Sequence, residues 1–219
     1  MELTGAFKII QSQSVRFREM GGLSSAFLGD VSTALRDRYR FQEFPKKTED
    51  FINPPNGMSF AIGRYGDNNI KRCAIYSDGI LAESDVPTEV LDNFLDEITS
   101  ILLEQFGVSL KPSTPLHHVY NSKIEIVLRL DLAKTLDRFS AVSDFLTMAL
   151  RSYGLDVKPY EVAGVSGLAE FNTPAPIVAP KFSFERRIGK NFASNIFYSE
   201  APLPTKAHVE VIQLLQSAI

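Results

Sequence analysis

The densest polar cluster in the chain is Glu185-Arg186-Arg187, followed by Lys190, Asn191 and Asn195. Successive side chains of a strand point to opposite faces. Arg187 therefore shares a face with Lys181, Ser183 and Glu185, and Arg186 shares one with Phe182, Phe184 and Ile188. An arginine on the apolar side cannot shed its charge, so it needs a partner. That partner is an internal carboxylate, water reached at a strand end, or a bound carboxylate or phosphate held by the guanidinium fork. Internal ion pairs are the commoner outcome.

The histidines are His117, His118 and His208. Adjacent histidines on a strand diverge, which makes the first two a poor pair of metal ligands. His208 falls in the first turn of a helix expected from Thr205, where a neutral ring would suit a general base. No nucleophile or orienting carboxylate stands beside it, so a surface histidine is the expectation. The single cysteine, Cys73, lies mid-strand and reads as an inert buried thiol rather than a nucleophile. Gly164 and Gly167 match neither the Walker nor the dinucleotide spacing, and no Lys-Ser or Lys-Thr follows them. Tyr76-Ser77-Asp78 and Tyr198-Ser199-Glu200 are explained by turns and caps before helices. Acids paired at a regular spacing, as in a nuclease or glycosidase, are absent. These residues imply no metal and no cofactor, and they leave catalysis open.

Composition narrows the classes further. The chain has 219 residues, 44% of them hydrophobic and 22% charged, which is ordinary for a soluble globular protein. Sixteen Phe and no Trp make a phenylalanine-rich core the expectation. A net charge of −3 disfavours a nucleic-acid binder. One cysteine excludes an internal disulfide framework and fits a reducing cytoplasm. No apolar run approaches the ~20 residues that span a bilayer, and the segment from Met1 to Ile10 lacks a signal-peptide core. The expected setting is the cytoplasm, with no membrane.

The elements that must position these residues recur along the chain. Ser59-Phe60, Gly66 and Tyr76-Ser77-Asp78 are echoed by Ser183-Phe184, Gly189 and Tyr198-Ser199-Glu200, at offsets of 124 (183 − 59), 123 (189 − 66) and 122 (198 − 76). Ala34-Leu35-Arg36 and Ala149-Leu150-Arg151 form an earlier pair at 115 (149 − 34). The pattern predicts two tandem units, 1–110 and 111–219, each a βαββα set of strand, helix, hairpin and helix.

In the first unit Phe7, Ile9, Val15 and Phe17 alternate with Lys8, Ser12, Ser14 and Arg16. A helix to about Arg40 carries Leu23, Phe27, Val31 and Leu35 as its buried stripe. A loop from Gln42 to Gly57 leads to a hairpin in which Met58, Phe60 and Ile62 share a face. Ser84 or Asp85 then starts a helix with Pro87 in its first turn, Val90, Leu91, Phe94, Ile98, Ile101 and Leu102 on its apolar face, and Gly107 as its stop.

In the second unit Ile124, Ile126, Leu128 and Leu130 alternate with Lys123, Glu125 and Arg129. A helix from near Leu132 to Tyr153 buries Leu136, Phe139, Val142, Leu146 and Leu150, with Gly154 as its stop. The segment from Lys158 to Pro180 has room for an extra strand within Tyr160 to Phe171. A second hairpin turns at Gly189-Lys190-Asn191, and Thr205 caps a last helix with Val209, Ile212 and Leu215 inward.

The expected class is therefore α+β, an antiparallel sheet of about six strands with helices on one face and the other face open. The leading functional expectation is a non-catalytic subunit that binds a protein partner or a second copy of itself. Its open face mixes charge at Lys123, Glu125, Arg129, Lys181, Glu185 and Arg187. The alternative is an enzyme or sensor that takes a small anionic ligand in a cleft between the units, lined by Arg186, Arg187, Tyr198 and His208.

Overall fold

The structure is a computed structural model, and it describes residues 6–22, 25–47, 50, 57–111, 117–128, 140–156, 158–159, 163–168, 181–191 and 194–217. The element order is β1 (Phe7–Phe17), β2 (Met20–Gly21), α1 (Ser25–Tyr39), β3 (Met58–Tyr65), β4 (Asn68–Tyr76), β5 (Gly79–Ser84), α2 (Thr88–Phe106), β6 (Ser109–Leu110), β7 (His117–Val127), α3 (Ser140–Ser152), β8 (Gly164–Leu168), β9 (Lys181–Arg186), β10 (Ile196–Ala201) and α4 (Thr205–Ser217). Among the described residues this is an α+β fold with four helices and a large antiparallel sheet.

The chain divides into two compact units, neither continuous in sequence. The larger holds Ile9–Lys123 with Pro202–His208, and the smaller holds Met1–Lys8, Ile124–Ala201 and Val209–Ile219. Within the larger unit the strands follow the order β3-β4-β5-β1-β7, and within the smaller unit β10, β9 and β8 are neighbours in that order.

In the larger unit β3, β4 and β5 form an antiparallel meander, and β5 pairs in turn with β1, Ser12 opposite Ser84 and Phe17 opposite Gly79. Alternation and turn residues predict a hairpin followed directly by a helix. Instead Gly79–Ser84 is a third strand, and α2 starts three or four residues later than expected, at Thr88. Pro87 is its N-cap, with φ −54° and ψ 144°. A Cβ on Gly79 would stand 2.4 Å from the Arg16 carbonyl oxygen, so only glycine lets β5 lie this close to β1.

The core of this unit gathers Val31, Leu35 and Tyr39 of α1, Phe60, Ile70 and Cys73 of the meander, and Leu91, Phe94, Leu95 and Ile98 of α2. Tyr39 meets Phe94 edge-on at 4.9 Å and Phe41 packs on Phe60 at 5.2 Å, so rings fill the centre as the phenylalanine count predicted. Leu23 and Phe27 lie outside the residues whose side chains are described. Gly107 ends α2 in the left-handed region at φ 65°, as expected, while the Val108 N–H donates to the Leu102 carbonyl at 3.1 Å.

Ile62 departs from its expected face. It has φ 56° and is half exposed, and Gly63 turns inward in its place. The cause is Phe41, whose ring would lie 2.3 Å from a Cβ on Gly63, so that position accepts no side chain.

The smaller unit is built on Ile124, Ile126 and Leu128 of β7 and its continuation, Phe184 of β9, Phe197 of β10 and Ile212 of α4. Phe184 and Phe197 stack at 5.0 Å. Val209 and Leu215 pack against this core, as their spacing predicted, and β8 lies within the stretch where an extra strand was expected. Gly154 ends α3 at φ 82°, where the Leu155 N–H donates to the Leu150 carbonyl at 3.2 Å.

Candidate functional site

The face of β1 that packs against α2 is its polar face, the reverse of what the pattern implied. Ser12 and Ser14 are wholly buried and Arg16 is 9% exposed, whereas Phe7 is 45% exposed. Short hydroxyl side chains let the helix approach, and α2 answers them with Asp92, Asp96 and Thr99, spaced to share one helical face. The Ser12 hydroxyl donates to the Val86 carbonyl, and the Ser14 hydroxyl donates to Asp92 Oδ1 at 2.7 Å. Arg16 donates through Nη1 to Asp96 Oδ1 and through Nη2 to the Asp92 carbonyl at 2.9 Å, and its Nη2 lies 3.8 Å from Asp92 Oδ1. The Tyr120 hydroxyl donates to Asp92 Oδ2 at 3.1 Å. Burial, reinforced by the Asp92 charge, raises the pKa of that phenol.

This seam opens at its far end into a pocket of about 210 Å³ lined by Arg16, Arg18, Met20, Gly79, Ile80, Asp96, Thr99 and Leu110. Arg16 stands near the end of β1 and Arg18 just past it, and both line the pocket. Met20 and Leu110 face each other across the short β2-β6 ladder. The Arg18 backbone N–H is tied to the Asp78 carbonyl at 2.9 Å, which fixes the chain where it leaves β1. Asp96 is 68% exposed, so Arg16 is held by one carboxylate that water reaches and one that it scarcely does, Asp92 at 24%.

The residues singled out from sequence fall in both units. Arg186, Arg187 and Tyr198 belong to the smaller unit, and His208 belongs to the larger. Arg186 is buried at 9% exposure, with its guanidinium over the Phe197 ring at 5.5 Å and Nη1 donating to Asn195 Oδ1 at 3.4 Å. Alternation thus placed it correctly on the apolar side, and a ring and an amide answer it there. Arg187 pairs with Glu125 at 3.3 Å and lies over Tyr198 at 5.3 Å. The Tyr198 hydroxyl donates to Glu200 at 3.2 Å, and burial, with help from the Glu200 charge, pushes its pKa up to about 12.

His208 is wholly buried, not a surface histidine, and its Nδ1 lies 2.5 Å from Ser122 Oγ, itself wholly buried. Position 122 falls on the inward parity of β7, which turns the serine toward the first turn of α4. Cys73 is buried as expected, and burial pushes its thiol up to about 12. Of the expected partner-binding positions, Lys123, Glu125 and Glu185 are half-buried and Lys181 is exposed, while Arg129 lies outside the described residues. Among the described residues no three His, Cys, Asp or Glu side chains group as metal ligands, and no helix is long and apolar enough to cross a membrane.

Two features have no counterpart in the periodicity of the sequence. The first joins the starts of α2 and α4. The Thr88 N–H donates to Thr205 Oγ1 at 3.0 Å, and the Thr205 N–H donates to Thr88 Oγ1 at 2.8 Å. Each threonine caps the other's helix rather than its own, which explains why Thr205 is the first helical residue and not the cap before it. Pro87-Thr88 and Pro204-Thr205 were the readable sign.

The second feature is the outer face of α3. Val142, expected in the core, is 54% exposed, and Phe145 and Met148 are 71% exposed. At 100° per residue the three span about 120° of arc, a continuous apolar stripe. Tyr153, at 79%, and Leu155, at 52%, extend the exposed apolar surface just past the helix end. Thr147 is the one buried position of α3 among the described residues.

No protein-family model matches the chain, and no curated protein sequence matches it.

Proposed function

We propose that this protein is a non-catalytic binding or assembly subunit that docks a protein partner on the apolar stripe of α3. The observation that carries the reading is the exposure of Phe145, Met148 and Val142 along one helical face. An aromatic side chain offers ~200 Å², so Phe145 and Tyr153 together leave on the order of 300 Å² in water, a size at which a patch on a monomer is often functional. Aromatic residues and methionine are the types enriched at protein interfaces.

Strand β8 adds to the case. It ends the strand order of its unit, its sequence Gly164-Val165-Ser166-Gly167-Leu168 has no charge and no proline, and Leu168 is 76% exposed. Strand edges that are not meant to pair usually carry such blunting residues. Lys181 and Glu185 on neighbouring β9 supply charge for orienting a partner in the same unit. The single buried thiol suits a cytoplasmic setting.

We also infer that the chain arose by duplication, though not in the register first read from the sequence. Ser59 lies on β3 and Ser183 on β9, the first strand of one set and the second of the other, so those echoes pair unlike strands. A better register is found elsewhere. Strands β5 and β10 and the starts of α2 and α4 are each separated by 117 residues (196 − 79 and 205 − 88). Strands β1 and β7 are both eleven residues long, with the same burial pattern over their first ten positions. The reciprocal threonine caps favour a repeat of βαβββα units, one strand richer than βαββα.

The docking proposal is tested by size-exclusion chromatography with light scattering, on the protein alone and as captured from its native lysate. The expected result is a defined complex or oligomer that Phe145→Asp with Met148→Asp dissolves while the circular dichroism spectrum is unchanged. A monomer with no stoichiometric companion in either preparation contradicts the proposal.

A further inference from the structure

We infer that the pocket at the end of β1 is a binding site for a small monocarboxylate with an apolar body, a site independent of the α3 docking surface. Its lining residues carry two guanidiniums against one carboxylate, a net charge of +1. Arg16 is committed to Asp96 and to the Asp92 carbonyl. Arg18 forms no ion pair and no side-chain hydrogen bond among the described residues, and its Nε is buried. The Nε of Arg16 is also buried without an acceptor.

An arginine stays charged at any pH the protein meets, and a buried N–H without an acceptor is costly. A carboxylate entering the pocket would give Arg18 the bidentate partner that its planar fork fits. The remaining walls are Met20, Ile80 and Leu110, with the backbone of Gly79 between them, and these select an apolar body. Volume sets its size. A cavity of about 150 Å³ admits benzene, so about 210 Å³ accommodates a six-carbon ring with one carboxylate attached. The net charge favours a monoanion over the dianion of a phosphate ester, since one unpaired guanidinium balances one negative charge.

Benzoate is a fitting probe, with benzamide as its neutral isostere and phenyl phosphate and inorganic phosphate as the competing anion chemistry. Titrations on the full chain are followed by backbone amide NMR shifts or by calorimetry. Saturable benzoate binding is expected at millimolar concentration or below, with shifts centred on residues 16–20, 79–80 and 110. Benzamide and the Arg18→Gln variant should each weaken it roughly tenfold or more, the ratio that losing one charge-assisted hydrogen bond carries. Leu110→Trp, which fills the pocket without touching its charge, should abolish binding and provides the test if Arg18→Gln fails to fold. No benzoate binding to folded protein, or equal binding to wild type and Leu110→Trp, overturns the site. Tighter binding of either phosphate than of benzoate overturns the carboxylate assignment.

Discussion

Replacing Asp92 by alanine should cost far more than replacing Asp96, although both carboxylates face Arg16 from the same helix. Asp92 accepts from the Ser14 hydroxyl at 2.7 Å and from the Tyr120 hydroxyl at 3.1 Å. Ser14 has no exposure to water, so its hydroxyl cannot rehydrate when the acceptor goes. A buried polar group left in this state costs about 1–3 kcal/mol. Tyr120 is only half-buried and recovers part of its loss through solvent, adding about 0.5 kcal/mol. Arg16 keeps Asp96 and the Asp92 carbonyl, so its share is about 1 kcal/mol. Asp92→Ala should therefore lower stability by about 2.5–4.5 kcal/mol.

Asp96 is different because its side chain is 68% exposed. Its pair with Arg16 is screened, and the loss should be about 1 kcal/mol or less. With a urea slope of roughly 2 kcal/mol per molar, the midpoint should fall by about 1–2 M for Asp92→Ala and by under about 0.5 M for Asp96→Ala. Ser14→Ala alone should cost about 1 kcal/mol, and combined with Asp92→Ala it should cost less than the sum, because the two share one bond. Equal midpoints for the two aspartate variants, or strict additivity of Ser14→Ala and Asp92→Ala, would refute the seam as described.

Three further outcomes follow from the same structure. Thr88→Val and Thr205→Val each strip the acceptor from the other helix's buried first N–H, so each should cost about 1–2 kcal/mol by urea unfolding, whereas Thr99→Val, which loses only a bond back to its own helix, should cost less. Cys73 should resist alkylation at pH 8, since a thiol pKa near 12 leaves a thiolate fraction about a thousandfold below that of a free thiol, and a reaction rate that does not rise with urea would contradict its burial. Tyr198 has a folded pKa raised to about 12, so its contribution to stability is complete below about pH 10, the ordinary phenol range, and is lost as pH climbs through 12. A phenolate absorbance titration of wild type minus Tyr198→Phe should show that one ring ionising near 12, and a transition near 10 would contradict it.

The two eleven-residue strands show what the sequence could and could not reveal. In β7 the buried parity is apolar at Ile124 and Ile126 and the other is charged at Lys123 and Glu125, so alternation alone gives its orientation. In β1 the buried parity is Ser12, Ser14 and Arg16, and hydrophobicity points the wrong way. The deciding partner is the Asp92-Asp96-Thr99 row of α2, some eighty residues away, and only the fold brings it into contact. That row was a readable signal, a polar stripe at helical spacing beside the apolar one, but it becomes informative only when matched to a strand of serines.

The same limit explains the pocket. Arg16 and Arg18 stand two residues apart in plain sight, yet that Arg18 has no ion-pair partner among the described residues depends on which carboxylates the helix presents. Val142 failed for the opposite reason, since an amphipathic period says that a face is apolar without saying that this chain covers it. Arg186 was legible because a guanidinium on an apolar parity demands an answer, and Phe197 with Asn195 is that answer.

The most direct test of the docking proposal is photo-crosslinking in the native cell, with the crosslinker placed at position 145 in one strain and at position 67, in the exposed turn between β3 and β4, in another. The account predicts one adduct of discrete mass from position 145 and none from position 67. Equal labelling from both positions, or no adduct from 145, would contradict it.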